Sequence, residues 1–217
     1  GWTWGERVCV DKSMIKYMRK FISFVQYMLA KQIKHGLKVY ALCCAFTGYL
    51  YSFEIYTGKD HVANGSPRGV ISRLLSCAEV VRASGRILYT DNFYTSAEVM
   101  HYIFVTFGML LVGTYALTKK KSRTASDFPF HKLSNSALKR VERGWKRVAF
   151  QRVYAKNKLL YTMQATTWKD KKLVGFLHNH IVSSNAEDYV KRWSPRKKKK
   201  KKISSREITR DYALHMN

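Results

Sequence analysis

Two aspartates, Asp11 and Asp91, each close a short apolar run rich in β-formers: Val8-Cys9-Val10 before the first, Ile87-Leu88-Tyr89-Thr90 before the second. Carboxylates at the ends of neighbouring strands offer hard oxygen ligands, which suit Mg2+ or Mn2+. Two such ions about 4 Å apart activate water or a 3′-hydroxyl and stabilise the leaving oxygen of a phosphodiester. On composition alone, aspartates at strand ends are more often turn formers. The pair therefore gains meaning only from what positions it. His178 and His180 have strand spacing and would share a face. No Cys or acid accompanies them at zinc-ligand spacing, so they read as ordinary polar strand residues. Glu54 lies on an alternating strand and is expected to face solvent; Asp170 is the other acid near a strand. Tryptophans interleaved with cations (Trp145-Lys146-Arg147 and Lys191-Arg192-Trp193) could stack on bases, though aromatics in β segments more often fill a core.

The second chemical signal is charge. The 217 residues carry a formal net charge of +26, with 46% hydrophobic and 14% aromatic residues. That composition excludes wholesale disorder, and the length allows one ordinary domain with an appendage. Nine of the excess positive charges lie in the acid-free run from Lys191 to Lys202, and the rest of the chain still carries +17. A polyanion is the partner this implies, nucleic acid before acidic lipid. Lys191, Arg192, Arg196, Lys197, Lys198, Lys199 and Lys200 are the candidate phosphate contacts. A solvated linker or a nuclear-import tag is the competing reading of that run. Cys9, Cys43, Cys44 and Cys77 show no C-x-x-C spacing. They read as buried thiols in a reducing compartment rather than a zinc ribbon or cystine framework. No leader is expected at Gly1 to Val10. Val99 to Leu117 lacks charge and imitates a membrane span, but Gly108 and Gly113 interrupt it. A buried helix joined to a buried strand accounts for it, and no membrane partner is expected.

The positioning elements follow from pattern. Strands are expected at Arg7 to Asp11, Leu37 to Cys44, Tyr49 to Tyr56, Ile87 to Tyr89 and Met109 to Leu117. A helix capped by Ser66 with Pro67 at its first position should run to Gly85. A second helix over Ala97 to Val105 should start from a Thr95/Glu98 capping box. Strand, strand, strand, helix, strand, helix, strand gives a mixed sheet with packed helices. In one arrangement of that order the first and fourth strands are neighbours, which brings Asp11 beside Asp91. Three further strands, Arg147 to Tyr154, Leu159 to Thr167 and Leu173 to His180, suggest an antiparallel insert. Asn185 to Ile203 reads as a charged connector, and Ser204 with Glu207 as the cap of a last helix.

Val8-Cys9-Val10-Asp11-Lys12-Ser13-Met14, Gln26-Tyr27-Met28, Lys31 to Val39, Thr47-Gly48-Tyr49 and Phe53 to Lys59 resemble the piggyBac transposase family. So do Tyr89 to Ser96, Gly113-Thr114, Trp168 to Val174 and Asp211 to Asn217, so that the resemblance covers nearly the whole chain. It implies an α/β, ribonuclease-H-like mixed sheet with flanking helices and a β-rich insertion. The division expected is a core over 1–118, an insertion over 119–184, a basic linker over 185–203 and the start of a core helix over 204–217. It also implies nuclear, Mg2+- or Mn2+-dependent cut-and-paste transposition. DNA (transposon ends) would be the partner, with homodimerisation through regions absent here and no small-molecule substrate. Asp11 and Asp91 match the first and second of three catalytic aspartates and would be metal ligands. The third normally follows a His-Met-x-Gly-Val-Asp type block, and the sequence stops at Asn217, short of it. Lys12 stands where the family commonly has an acid, Arg19-Lys20 where it has Gly-Arg, and Leu29 and Gln32 where it has prolines. The missing third aspartate implies an inactive transposase domain, and these departures weaken the enzyme reading further. The alternative is a domesticated, non-catalytic DNA-binding protein derived from a transposon.

Overall fold

The computed structural model describes residues 5–19, 21–29, 31–58, 65–78, 85–115, 140–180, 188–194, 199–205 and 207–216. The first strand, β1 (Arg7–Lys16), lies inside the main sheet. It alternates by burial up to Met14: Val8, Val10 and Met14 point inward, while Asp11 and Ser13 are exposed. β2 (Gln26–Tyr27) and β4 (Leu50–Ile55) both pair with β3 (His35–Cys44), which runs antiparallel to β1. On its other side β1 runs parallel to β5 (Ile87–Thr90), and β5 parallel to β6 (Leu110–Tyr115). This is the expected pairing of the first and fourth strands. The sheet continues through β9 (Leu173–His178), antiparallel to β6, into β8 (Lys158–Lys169) and β7 (Lys146–Ala155). The β-rich segment is thus hydrogen-bonded edge to edge onto the α/β sheet. The β7–β8 turn uses Lys156 and Asn157 at φ of 47° and 62°. Two consecutive left-handed residues are what a tight hairpin matching strand twist demands.

One face of the sheet is covered by α1 (Pro67–Cys77) and α2 (Ala97–Phe107). Val70, Ile71, Leu74 and Leu75 of α1 and Val99, Met100 and Ile103 of α2 join Val8, Val10, Leu42, Leu88 and Leu111 of the sheet in one core. Fully burying each such side chain contributes about 1.5–3 kcal/mol. The Ser66 hydroxyl caps α1 by accepting from the Gly69 N–H, as expected. α2 begins at Ala97 as expected, but its cap is not Thr95. Ser96 is its cap, accepting from the Val99 N–H, because the Thr95 hydroxyl is used elsewhere. Gly108, at φ 66°, ends α2 in the left-handed conformation. Val99 to Leu117 is therefore helix followed by strand as far as Tyr115, with residues 116 and 117 outside the described set. No helix among the described residues is long and apolar enough to cross a membrane.

The opposite face carries α3 (Glu207–His215), packed over Ile87, Tyr89 and Val112 through Tyr212, with Met216 just beyond its end. Ser204 lies in a strand paired with Tyr189, so it is not the cap expected for this helix. The connector expected at 185–203 carries a second, two-stranded antiparallel sheet, β10 (Asp188–Ser194) and β11 (Lys199–Ser205). Of the cysteines only Cys44 is buried. Cys9 and Cys43 are half-buried, Cys77 is exposed, and all four are free thiols.

Candidate active site

Parallel pairing sets Val10 opposite Thr90, so Asp11 and Asp91 follow at adjacent positions on neighbouring backbones. Such strands lie about 4.8 Å apart. Asp11 is not at a strand end as expected, since β1 continues to Lys16; it is β5 that stops, at Thr90. Beyond Thr90 the chain turns sharply around Asp91. Its carbonyl accepts from the Tyr94 and Thr95 N–H groups at 3.2 Å each and from the Thr95 hydroxyl at 2.7 Å. Its Oδ1 accepts from the Phe93 N–H at 2.8 Å. The turn thus fixes one carboxylate oxygen and leaves Oδ2 for other partners.

The turn is braced from beneath. Thr95 spends its proton on the Asp91 carbonyl, so the Thr90 hydroxyl, 2.8 Å away and fully buried, donates to Thr95 Oγ1. Gly113 on β6 lies opposite Thr90 and makes room for this pair. A Cβ at Gly113 would meet Thr95 Oγ1 at 2.1 Å and Thr90 Oγ1 at 2.5 Å.

Two phenols flank the acids. Burial, then the Tyr40 phenol and the Asp91 and Asp11 carboxylates, hold the Tyr94 hydroxyl far above its ordinary value. Burial pushes Tyr212 up to about 12, and Asp91 and Asp11 add to the shift. Both tyrosines thus lie within the field of both carboxylates. The Tyr212 hydroxyl donates to the Thr90 carbonyl at 3.1 Å, and the Thr114 hydroxyl, 3.3 Å away, donates to Tyr212. α3 is itself pinned. Asp211 accepts from Arg7 Nη1 at 2.8 Å and from the Tyr89 hydroxyl at 2.5 Å. Arg7 Nη1 also donates to His215 Nε2 at 2.5 Å, which requires a neutral imidazole. The sequence offered the closing Asp211 to Asn217 segment only as a likeness. The clamp formed by Arg7, Tyr89, Asp211 and Tyr212 joins positions up to 204 residues apart, and no local pattern announces it.

Lys12 completes the site. Its Nζ is 3.9 Å from Asp91 Oδ2, with the two side chains only 23% and 28% exposed. The same ammonium lies 4.7 Å from the Phe93 ring centroid. Among the described residues no group of three His, Cys, Asp or Glu side chains could hold a metal ion. Two carboxylates with an ammonium on one of them do not fit a divalent ion as they stand.

The family model for Transposase IS4 matches residues 2–214. The chain belongs to that transposase family. Its fold is also similar to a solved structure, the cryo-EM structure of a piggyBac transposase synaptic complex with hairpin DNA. The TM-score is 0.70 at 20% identity, over 98% of this chain and 38% of the other. This transposase chain therefore spans well under half the length of that protein, and the piggyBac likeness read from its motifs is upheld. A DDE transposase family of this kind implies use of a divalent metal.

The remaining expected residues of the transposase chain fall as follows. Lys191, Arg192, Lys199 and Lys200 lie on the β10–β11 ribbon, whose register sets Lys191 opposite Lys202, Arg192 opposite Lys201 and Trp193 opposite Lys200. Arg196, Lys197 and Lys198 lie outside the described residues. His178 and His180 do not share a strand face. β9 ends at His178, which is fully buried, and its Nδ1 lies 2.9 Å from the His180 carbonyl oxygen. Glu54 does not simply face solvent. It takes both guanidinium contacts of Arg73, at 2.8 and 2.9 Å. Asp170 pairs with Arg143.

Proposed function

We propose that this chain supplies the ribonuclease-H-like core of a piggyBac-type DNA transposase, and that as it stands it binds DNA without cutting it. The observation that carries the reading is the placement of Asp11 and Asp91 at successive positions beyond the same register step of two parallel strands. In this family such carboxylates hold Mg2+ or Mn2+, which would activate water or a 3′-hydroxyl against a phosphodiester. Lys12 sits against Asp91. This chemistry favours a site that has kept its frame and lost its turnover, the state expected of a domesticated, non-catalytic derivative. The high positive charge supports DNA as the partner, transposon ends in the first instance. Homodimerisation and a nuclear location belong to the same proposal.

The test is to titrate the purified 217-residue chain against end-labelled duplex DNA over a salt series. Nicking is then assayed with Mg2+ or Mn2+. Salt-sensitive binding with no nicking is the expected result. Absence of binding at 50 mM salt would remove the DNA reading. Nicking that disappears in Asp91→Asn would remove the inactive one.

A further inference from the structure

We propose that Lys12 is a tethered cation that occupies the Asp91 carboxylate in place of a divalent ion. The proposal rests on the reading of Asp11 and Asp91 as the reactive carboxylates of the site. The geometry is specific to this side chain. Asp91 Oδ1 is engaged by the Phe93 N–H, so Oδ2 is the oxygen left for a cation, and it is the one Lys12 Nζ approaches at 3.9 Å. The ammonium does not swing freely, because the Phe93 ring lies beneath it at 4.7 Å and attracts it through its negative face. The strand beneath it is held as well. The Lys12 backbone pairs with Tyr40 on β3, and its carbonyl accepts from Lys31 Nζ at 3.4 Å. A second basic side chain, from the segment between β2 and β3, thus holds the Lys12 backbone.

The physical consequence is competition. A divalent ion on Oδ2 would sit within a few ångströms of a fixed positive charge. Even with the attenuation of a partly exposed site, that repulsion weakens metal binding by about ten-fold or more. Removing the charge while keeping the hydrocarbon stem should therefore restore metal affinity. Lys12→Met leaves the packing against Phe93, and Lys12→Glu adds a third carboxylate beside the pair.

The experiment is Mn2+ binding to the full 217-residue chain, read by electron paramagnetic resonance of free Mn2+, with no DNA present. Mn2+ should bind Lys12→Met at least ten-fold more tightly than the parent chain, and Lys12→Glu more tightly again. Adding Asp91→Asn to either variant should abolish the gain. A melting readout runs in parallel. Lys12→Met should melt lower than the parent in EDTA, because the acids lose their counter-charge, and Mn2+ should recover the difference. Equal Mn2+ affinity in parent and Lys12→Met, both with native circular dichroism, overturns the proposal, as does undetectable binding in all three. The assay contains no nucleic acid. A gain in Mn2+ binding by a chain that ignores DNA would therefore count against the proposed function while leaving this inference intact.

Discussion

At the scale of single residues, the site depends on a hydroxyl pair and the space reserved for it. The Thr90 and Thr95 side chains are buried, short and β-branched, so neither can swing away from an added methyl group. Gly113→Ala should therefore cost about 1–3 kcal/mol in urea unfolding, the usual penalty for overpacking a close-packed interior. Because Thr95 holds the Asp91 carbonyl, the same substitution should shift the amide resonances of Asp91 to Thr95 more than those of β9. A mutant with parental stability would show that the turn tolerates rearrangement. The adjacency of Asp11 and Asp91 was legible in the sequence through the order of the elements, which sets the first and fourth strands side by side. Lys12 as an obstruction was legible only as a departure from the family pattern. Its contact with Asp91 depends on two strands meeting and on Phe93 turning beneath it, neither of which is local information.

Among the elements, α3 is the one whose attachment responds to acidity. Burial holds the His215 imidazole below its ordinary value of 6.5, with Arg7 pushing the same way and Asp211 opposing. Its Nε2 accepts from Arg7, so the folded state needs it neutral. Below pH 6.5 the unfolded chain takes up a proton that the folded chain excludes. This contribution to stability is therefore complete above pH 6.5 and is lost as pH falls from there toward the folded-state value. The melting temperature should drop between pH 7 and 5.5, and His215→Gln should flatten that slope relative to the parent chain. An unchanged slope would mean that α3 is not held through this imidazole. The helices were readable from periodicity, but their ends only in part: α1 stops at Cys77, short of Gly85, Ser204 does not cap α3, and Thr95 was diverted to the Asp91 turn and left the capping to Ser96. The second half of β1 was not readable. Lys12 to Lys16 are mostly polar and become strand by pairing with Gly36 to Tyr40. The β10–β11 ribbon was hidden for a similar reason. A run of lysines carries the signature of a solvated linker, and only the register with residues 188–194 makes it a strand.

Across the whole molecule, charge and connectivity set behaviour. With a net charge of +26, duplex affinity should fall about 10³-fold or more between 50 and 200 mM salt if six or more phosphates are neutralised. Replacing Lys191, Arg192, Lys199 and Lys200 with Gln should lower the log–log salt slope by about 0.9 for every phosphate that is no longer neutralised. A slope unchanged by the fourfold replacement would exclude the ribbon from the DNA interface and leave the charge on the main sheet responsible. Connectivity bears on how such a molecule is made. β1 precedes every other strand described yet lies in the sheet interior, and Arg7 waits 204 residues for Asp211. Folding dominated by distant partners is slow, because loop closure precedes its reward. During synthesis the half-buried Cys9 and the Tyr89 phenol stand uncovered until α3 emerges from the ribosome. Translation rate and chaperone supply, more than intrinsic stability, should then govern how much usable protein a cell obtains.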